Sequence, residues 1–233
     1  CRSSTATPSR ESMAGNPERP ARRTVRAAIV LAAAAIAAFG LVAVVHEATR
    51  DRIAATARAR ELARFDQVLG GLLHDNDLLA DTLTLRDPEL LGTTEAVTAY
   101  RARLHGQPVA VVLEPVAPDG YSGAIRLLIA VAPDGTILGV RTVSHHETPG
   151  LGDFIDAAKS DWMQRFTGKS LGNPAATRWR VRKDSGDFDQ YTGATITSRA
   201  VVGTVGRTLQ FFARHRDELL GDELLAAPAT IQP

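Results

Sequence analysis

An unbroken uncharged run from Ala27 to Val45, built of Ala, Val, Ile and Leu with Phe39 and Gly40 inside it, constrains this chain more than any other feature. Nineteen helical residues reach about 28 Å at ~1.5 Å each, close to the ~30 Å hydrocarbon core of a bilayer. A buried helix of a soluble protein is usually shorter and carries a polar stripe. A cleaved signal has an apolar region of about 7–15 residues and then a small-x-small site; here Val44-Val45-His46-Glu47 follows. The run reads as a single membrane-spanning anchor over residues 27–45.

Charge gives the anchor a direction. Lys and Arg total 27 against 26 Asp and Glu, a net charge of +1. The balance is segregated: residues 1–26 hold six arginines and two acids, which leaves the remainder at −3. Arg19, Arg22, Arg23 and Arg26 crowd the N-terminal flank, whereas Arg50 and Arg52 on the other flank are mixed with Glu47 and Asp51. By the positive-inside rule the short segment 1–26 stays cytoplasmic and residues 46–233 are exported. The slightly acidic body lacks the concentrated basic face that nucleic-acid binding requires. One cysteine excludes an intramolecular disulfide framework, and also a Cys-rich zinc site or an iron–sulfur cluster held by this chain alone.

Beyond the anchor, Leu62, Phe65, Leu69 and Leu72 recur at helical spacing among Arg58, Arg60, Glu61 and Arg64. This predicts an amphipathic helix that docks on the body as a stalk and is interrupted at Gly70-Gly71. Residues 74–106 are polar with scattered leucines and read weakly as helix, so 46–106 is taken as a helical stalk or linker. Strand alternation starts at Pro108 with Val109, Val111 and Leu113, resumes over Ile125, Leu127, Ile129 and Val131, and returns from Ile137 to Val143. Each gap carries Ala-Pro-Asp-Gly, where Pro presets φ and Gly accepts a positive one. Three strands in an antiparallel meander follow. Phe154, Ala158, Trp162 and Phe166 repeat every fourth residue, predicting a helix that stops at Gly168. Trp179 and Val181 alternate with Arg180 and Arg182, which suggests a fourth strand. Val201, Val202, Val205, Leu209 and Phe212 mark a final helix from Ile196 to about His215; residues 217–233 are taken as a C-terminal tail, in which Ala226 to Pro233 carries two prolines and no pattern. The class is α+β: a domain over residues 107–216 on a membrane tether.

Two motifs carry chemistry. His145-His146-Glu147-Thr148-Pro149-Gly150-Leu151-Gly152 forms a stiff loop between a strand and the next helix, with backbone N–H groups able to meet a ligand. Adjacent residues on a strand point to opposite faces, so the two histidines do not make a metal site. Asp189-Gln190-Tyr191-Thr192-Gly193-Ala194-Thr195-Ile196-Thr197-Ser198 opens the last helix. Its hydroxyls either cap that helix or border an anion site at its positive end. It is neither a P-loop nor a dinucleotide fingerprint.

Together the D-x-x-T-G-A-T stretch, H-H-E-T-P-G-L-G, the intervening D-W-M-Q-R-F-T-G-K and the anchor resemble the G subunit of the Rnf electron-transport complex over roughly residues 25–216. The C subunit of the sodium-pumping NADH:quinone reductase is a more distant likeness. The resemblance implies an FMN-binding domain outside a bacterial cytoplasmic (inner) membrane, anchored by one span, with electrons relayed through FMN in a complex that couples ferredoxin and NAD redox chemistry to ion translocation. It implies FMN joined by a phosphoester to Thr195 through the action of a flavin transferase, with Asp189 part of the transferase signal. Glu147, Thr148, Gly150 and Leu151 then line the isoalloxazine, and Thr192, Gly193, Ala194 and Thr197 complete the cofactor site. Thr197 is the rival attachment point, and Trp162 either touches the flavin or sits in the core. No residue is assigned acid, base or nucleophile chemistry in turnover. The implied partners are multi-spanning, iron–sulfur and flavin-bearing subunits. The alternatives are an exported ligand-binding or sensor domain without a redox cofactor, or a purely structural subunit.

Overall fold

The computed structural model describes residues 18–221, in two compact units that divide after Arg58. The expectations for residues 1–17 and for 222–233 lie outside the described residues. Helix α1 (Glu18–Leu69) contains the apolar run without interruption. In the first unit Ile29, Leu31, Phe39 and Leu41 lie exposed, and the helix is long and apolar enough to cross a membrane. Apolar side chains exposed all round a helix are suited to a lipid surround.

The second unit is built on one antiparallel sheet. Strands β1 (Thr82–Leu85), β2 (Val97–Leu104), β3 (Gln107–Leu113), β4 (Val116–Ala117), β5 (Ile125–Val131) and β6 (Ile137–Ser144) pair in the order β1-β2-β3-β5-β4, with β6 also on β5. The predicted meander is present, with Val111 opposite Val131 and Ile129 opposite Val140. The second Ala-Pro-Asp-Gly closes the β5–β6 hairpin, where the Gly135 amide donates to the Ala132 carbonyl at 2.9 Å. The first follows the two-residue strand β4 and opens into a further loop, residues 121–124, before β5 begins.

The sheet is covered on both faces, so β5 is a near-continuous apolar strand. Ile125, Leu127, Ile129 and Val131 face one core with Val111 and Leu113, closed by helix α3 (Thr195–Arg214) through Val201, Val205, Leu209 and Phe212. Leu128 and Ala130 face a second core with Val112, which receives Phe65, Val68 and Leu69 from the last turns of α1. The predicted stalk docking is therefore seen, and α1 ends where Gly70-Gly71 begins. Full burial of such a side chain stabilises by about 1.5–3 kcal/mol.

Four sequence expectations are corrected. Residues 74–106 contribute strands to the sheet where helix was expected: β1 and β2 extend it, with only the short α2 (Pro88–Leu91) between them. The residues from Gly152 to Phe166 form two single-turn 3-10 segments, Gly152–Ile155 and Trp162–Phe166, instead of one helix. Asp156 is extended, and the Ser160 hydroxyl takes the Phe154 carbonyl at 2.8 Å, an acceptor a continuing helix would need. Trp179–Arg182 makes one isolated bridge, Val181 to Phe188, and no strand. The tail taken from 217 opens instead with helix α4 (Arg216–Leu220), which buries Leu219 and Leu220.

Candidate functional site

A cleft of about 460 Å³ opens where the β6 exit loop meets the start of α3. Tyr121, Glu147, Thr148, Leu151, Gly152, Gly193, Ala194, Thr195, Ile196 and Thr197 line it. The two motifs, some forty residues apart in the chain, thus form one site.

The start of α3 is held open by its local chain. Gly193, at φ +87°, turns the backbone so that the Ala194 amide donates to the Tyr191 carbonyl at 3.0 Å. A side chain at this φ would be strained. Ala194 occupies the N-cap and provides no capping oxygen. The first N–H groups of the helix, at Thr195, Ile196 and Thr197, therefore have neither intrahelical nor side-chain partners and meet the cleft with the positive end of the helix dipole. The Ser198 hydroxyl is turned inward, accepting from the Tyr191 amide and donating to the Ala194 carbonyl, both at 3.0 Å.

The opposite wall is organised by Glu147, which is 4% exposed. Its Oε1 accepts the Ser122 amide at 3.1 Å and its Oε2 accepts the Thr197 hydroxyl at 2.5 Å. Gly152 lies against it; a Cβ there would come within 2.7 Å of both Glu147 Cβ and Oε2. The Glu147 amide donates to His145 Nδ1 at 3.0 Å, which assigns the ring proton to Nε2, 3.1 Å from Asp156. His145 is thereby a brace for the loop, while His146 is exposed.

Of the residues expected here, Glu147, Thr148, Leu151, Gly193, Ala194, Thr195 and Thr197 line the cleft, whereas Gly150 and Thr192 are exposed beside it and do not. Trp162 is core: it is 4% exposed, packs edge-on against Phe154 and Phe166, and is absent from the lining. Asp189 stands outside the cleft, paired with Arg182 at 3.0 Å and Arg165 at 3.6 Å. Sequence reasoning missed Tyr121 and Ile196, exposed at 67% and 47%. A signal existed for Ile196, an apolar residue out of phase with the buried stripe of its own helix. None existed for Tyr121, whose place depends on the loop after β4.

Comparison with known proteins now gives this arrangement relatives. Residues 120–210 match the family model of the FMN-binding domain, and residues 13–68 that of the RnfG N-terminal region. The chain is 48% identical over 196 residues to the G subunit of the ion-translocating oxidoreductase complex of Vibrio atlanticus, covering 84% of this chain and 93% of that one. Against the protein of the same name from Pseudomonas aeruginosa it is 48% identical over 202 residues, covering 87% and 94%. A crystal structure of Shewanella oneidensis NqrC aligns at 23% identity with a TM-score of 0.42, covering 62% of this chain and 74% of that one.

Proposed function

Because this chain belongs to the G-subunit family of ion-translocating oxidoreductase complexes, we propose that it carries FMN in the cleft between Glu147 and Thr195, as a membrane-anchored electron-transfer subunit of such a complex. The observation that carries the reading is the cleft itself, in which an uncapped helix start, an unpartnered hydroxyl and apolar walls converge.

The residues present fit the cofactor. The volume of about 460 Å³ lies within the ~300–1,000 Å³ usual for small-molecule sites. The unpaired amides of Thr195, Ile196 and Thr197 would hold phosphate charge at the N-terminus of α3. Leu151, Tyr121 and Ile196 give apolar surface for a planar ring system, and Leu151 lies directly against the Gly193 position. Glu147 joins the two walls through the Thr197 hydroxyl, and His145 braces the loop that carries Glu147. When bound, FMN supplies one- and two-electron redox chemistry, while the chain holds and shields it.

The attachment is a phosphoester to the Thr195 hydroxyl, made by a flavin transferase that reads Asp189. Covalent attachment retains the cofactor in an exported domain, where free FMN is not replenished. Residues 46–233 lie on the outer side of the membrane, as the arginine-rich flank directs. The partners are the multi-spanning, iron–sulfur and flavin-bearing subunits of the complex, since one helix cannot build an ion path. The sensor alternative finds no support among the relatives named above.

Chain made together with a flavin transferase should keep flavin fluorescence on a denaturing gel. Thr195→Ala should abolish it with folding intact, because Thr195 is only partly buried at the first turn. Thr197→Ala should keep it. Covalent flavin persisting on Thr195→Ala would count against the assignment.

A further inference from the structure

Four hydroxyls surround the T-G-A-T turn, and the fold treats each one differently. Thr192 is exposed and off the cleft. Ser198 is buried, with its oxygen committed to Tyr191 and Ala194. Thr197 lines the cleft but is 0% exposed, and its hydroxyl is committed to the Glu147 carboxylate. Of these four, only Thr195 combines a place in the cleft, partial exposure and a hydroxyl without a partner.

We propose that Glu147 is the positioning residue that selects Thr195 as the flavin acceptor, by occupying the neighbouring Thr197 hydroxyl. The inference rests on the covalent attachment proposed above. In that step the acceptor oxygen forms a bond to the flavin's phosphorus and its proton passes to solvent. A phosphoanhydride bond in the activated flavin nucleotide breaks, releasing the other phosphate-bearing half; no electrons change hands. The acceptor oxygen must be open on the side from which the phosphorus arrives. A carboxylate beside an open hydroxyl would activate it as a nucleophile. Thr197 is not open: its oxygen is closed in between Glu147 and the core of α3. The carboxylate is itself immobilised by the Ser122 amide and by Gly152, so it has no alternative partner to turn to. The same contact draws the first turn of α3 towards the β6 exit loop, which leaves Thr195 facing the cleft.

The test uses the full chain co-produced with a flavin transferase, with the flavin-bearing residue located by fragmentation mass spectrometry of the peptide covering 184–199. Parent chain should carry flavin on Thr195 alone. Glu147→Ala, and Glu147→Asp, which keeps the charge but withdraws it from Thr197, should each give flavin on Thr197 beside that on Thr195, because the Thr197 hydroxyl loses its hydrogen bond to a charged group. In the Thr195→Ala background, Glu147→Ala should restore covalent flavin, now on Thr197. Folded Glu147 variants labelled on Thr195 alone would overturn the selection role, as would a parent chain labelled on Thr197. If thermal melts find neither variant folded, Glu147 is a fold element and the assignment fails. A parent chain with no covalent flavin overturns the attachment reading and this inference with it, an outcome distinct from the others.

Discussion

The indole Nε1 of Trp162 donates to the backbone carbonyl of Asp189 across 3.0 Å. This bond ties the aromatic core, through Phe154, Phe166 and the stacked Phe154–Tyr191 pair, to the segment that enters the T-G-A-T turn. Trp162→Phe keeps much of the packing and loses the bond, leaving the carbonyl only its longer contact with Arg165 at 3.4 Å. We expect a loss of about 1 kcal/mol, seen as a lower melting temperature, with covalent flavin retained. Loss of flavin from a folded variant would place Trp162 in the site after all.

Asp189 tests the transferase signal without disturbing the fold. Its side chain is 57% exposed and its arginine partners are partly exposed, so removing it should change stability by no more than about 1 kcal/mol. Asp189→Ala should therefore melt close to the parent while its in-gel flavin fluorescence falls. Full labelling would mean that Asp189 only shapes the turn.

Gly152 is required by closeness. An added methyl would meet Glu147 Cβ and Oε2 at 2.7 Å, and such overpacking costs about 1–3 kcal/mol. Gly152→Ala should lower the melting temperature and reduce flavin loading together, as the Glu147 wall is pushed away. An unchanged melt and flavin content would show that the wall yields without cost.

Glu114 offers a pH test remote from the cleft. Burial holds its carboxyl above the ordinary range, a rise opposed by Arg126, reinforced by Glu61 and opposed again by Arg64. A carboxyl whose folded pKa is raised favours the folded state below the ordinary carboxylate range, and that contribution is lost as pH climbs through the raised value. Glu114→Gln should accordingly melt higher than the parent at neutral pH. The gain should vanish in acid, and a gain equal at both would exclude ionisation as its cause.

Orientation is decided by reporters. One active only outside the cytoplasm should work when fused after Gln232 and stay silent when placed before Arg22. The reverse pattern would overturn the reading of the arginine-rich flank.

Legibility from sequence followed the strength of local patterns. β3, β5, β6 and α3 could be read because large apolar residues alternate or recur with one period and the turns carry Pro and Gly. β2 was hidden because its buried residues include the small Ala99 and Ala102, which face different cores, because the half-buried Arg101 and Arg103 pair with Asp81, and because a bulge at Ala102/Arg103 breaks the alternation. Phe154, Trp162 and Phe166 are indeed buried, but two 3-10 turns bring them together as well as one helix would. In the site, the motif residues could be named, but their division of labour could not. That Thr197 is taken and Thr195 is not depends on Glu147, 50 residues away.

That separation has a consequence in time. Glu147 reaches 25 residues back to Ser122 and 50 forward to Thr197, so none of this pairing exists in the extended chain. There, Thr192, Thr195, Thr197 and Ser198 are open alcohols a few residues apart, none held by a distant partner. They become different only when α3, which follows every strand of the sheet in the chain, closes on strands made before it. Flavin found on Thr195 alone would thus be a record that the domain had already folded when it was modified.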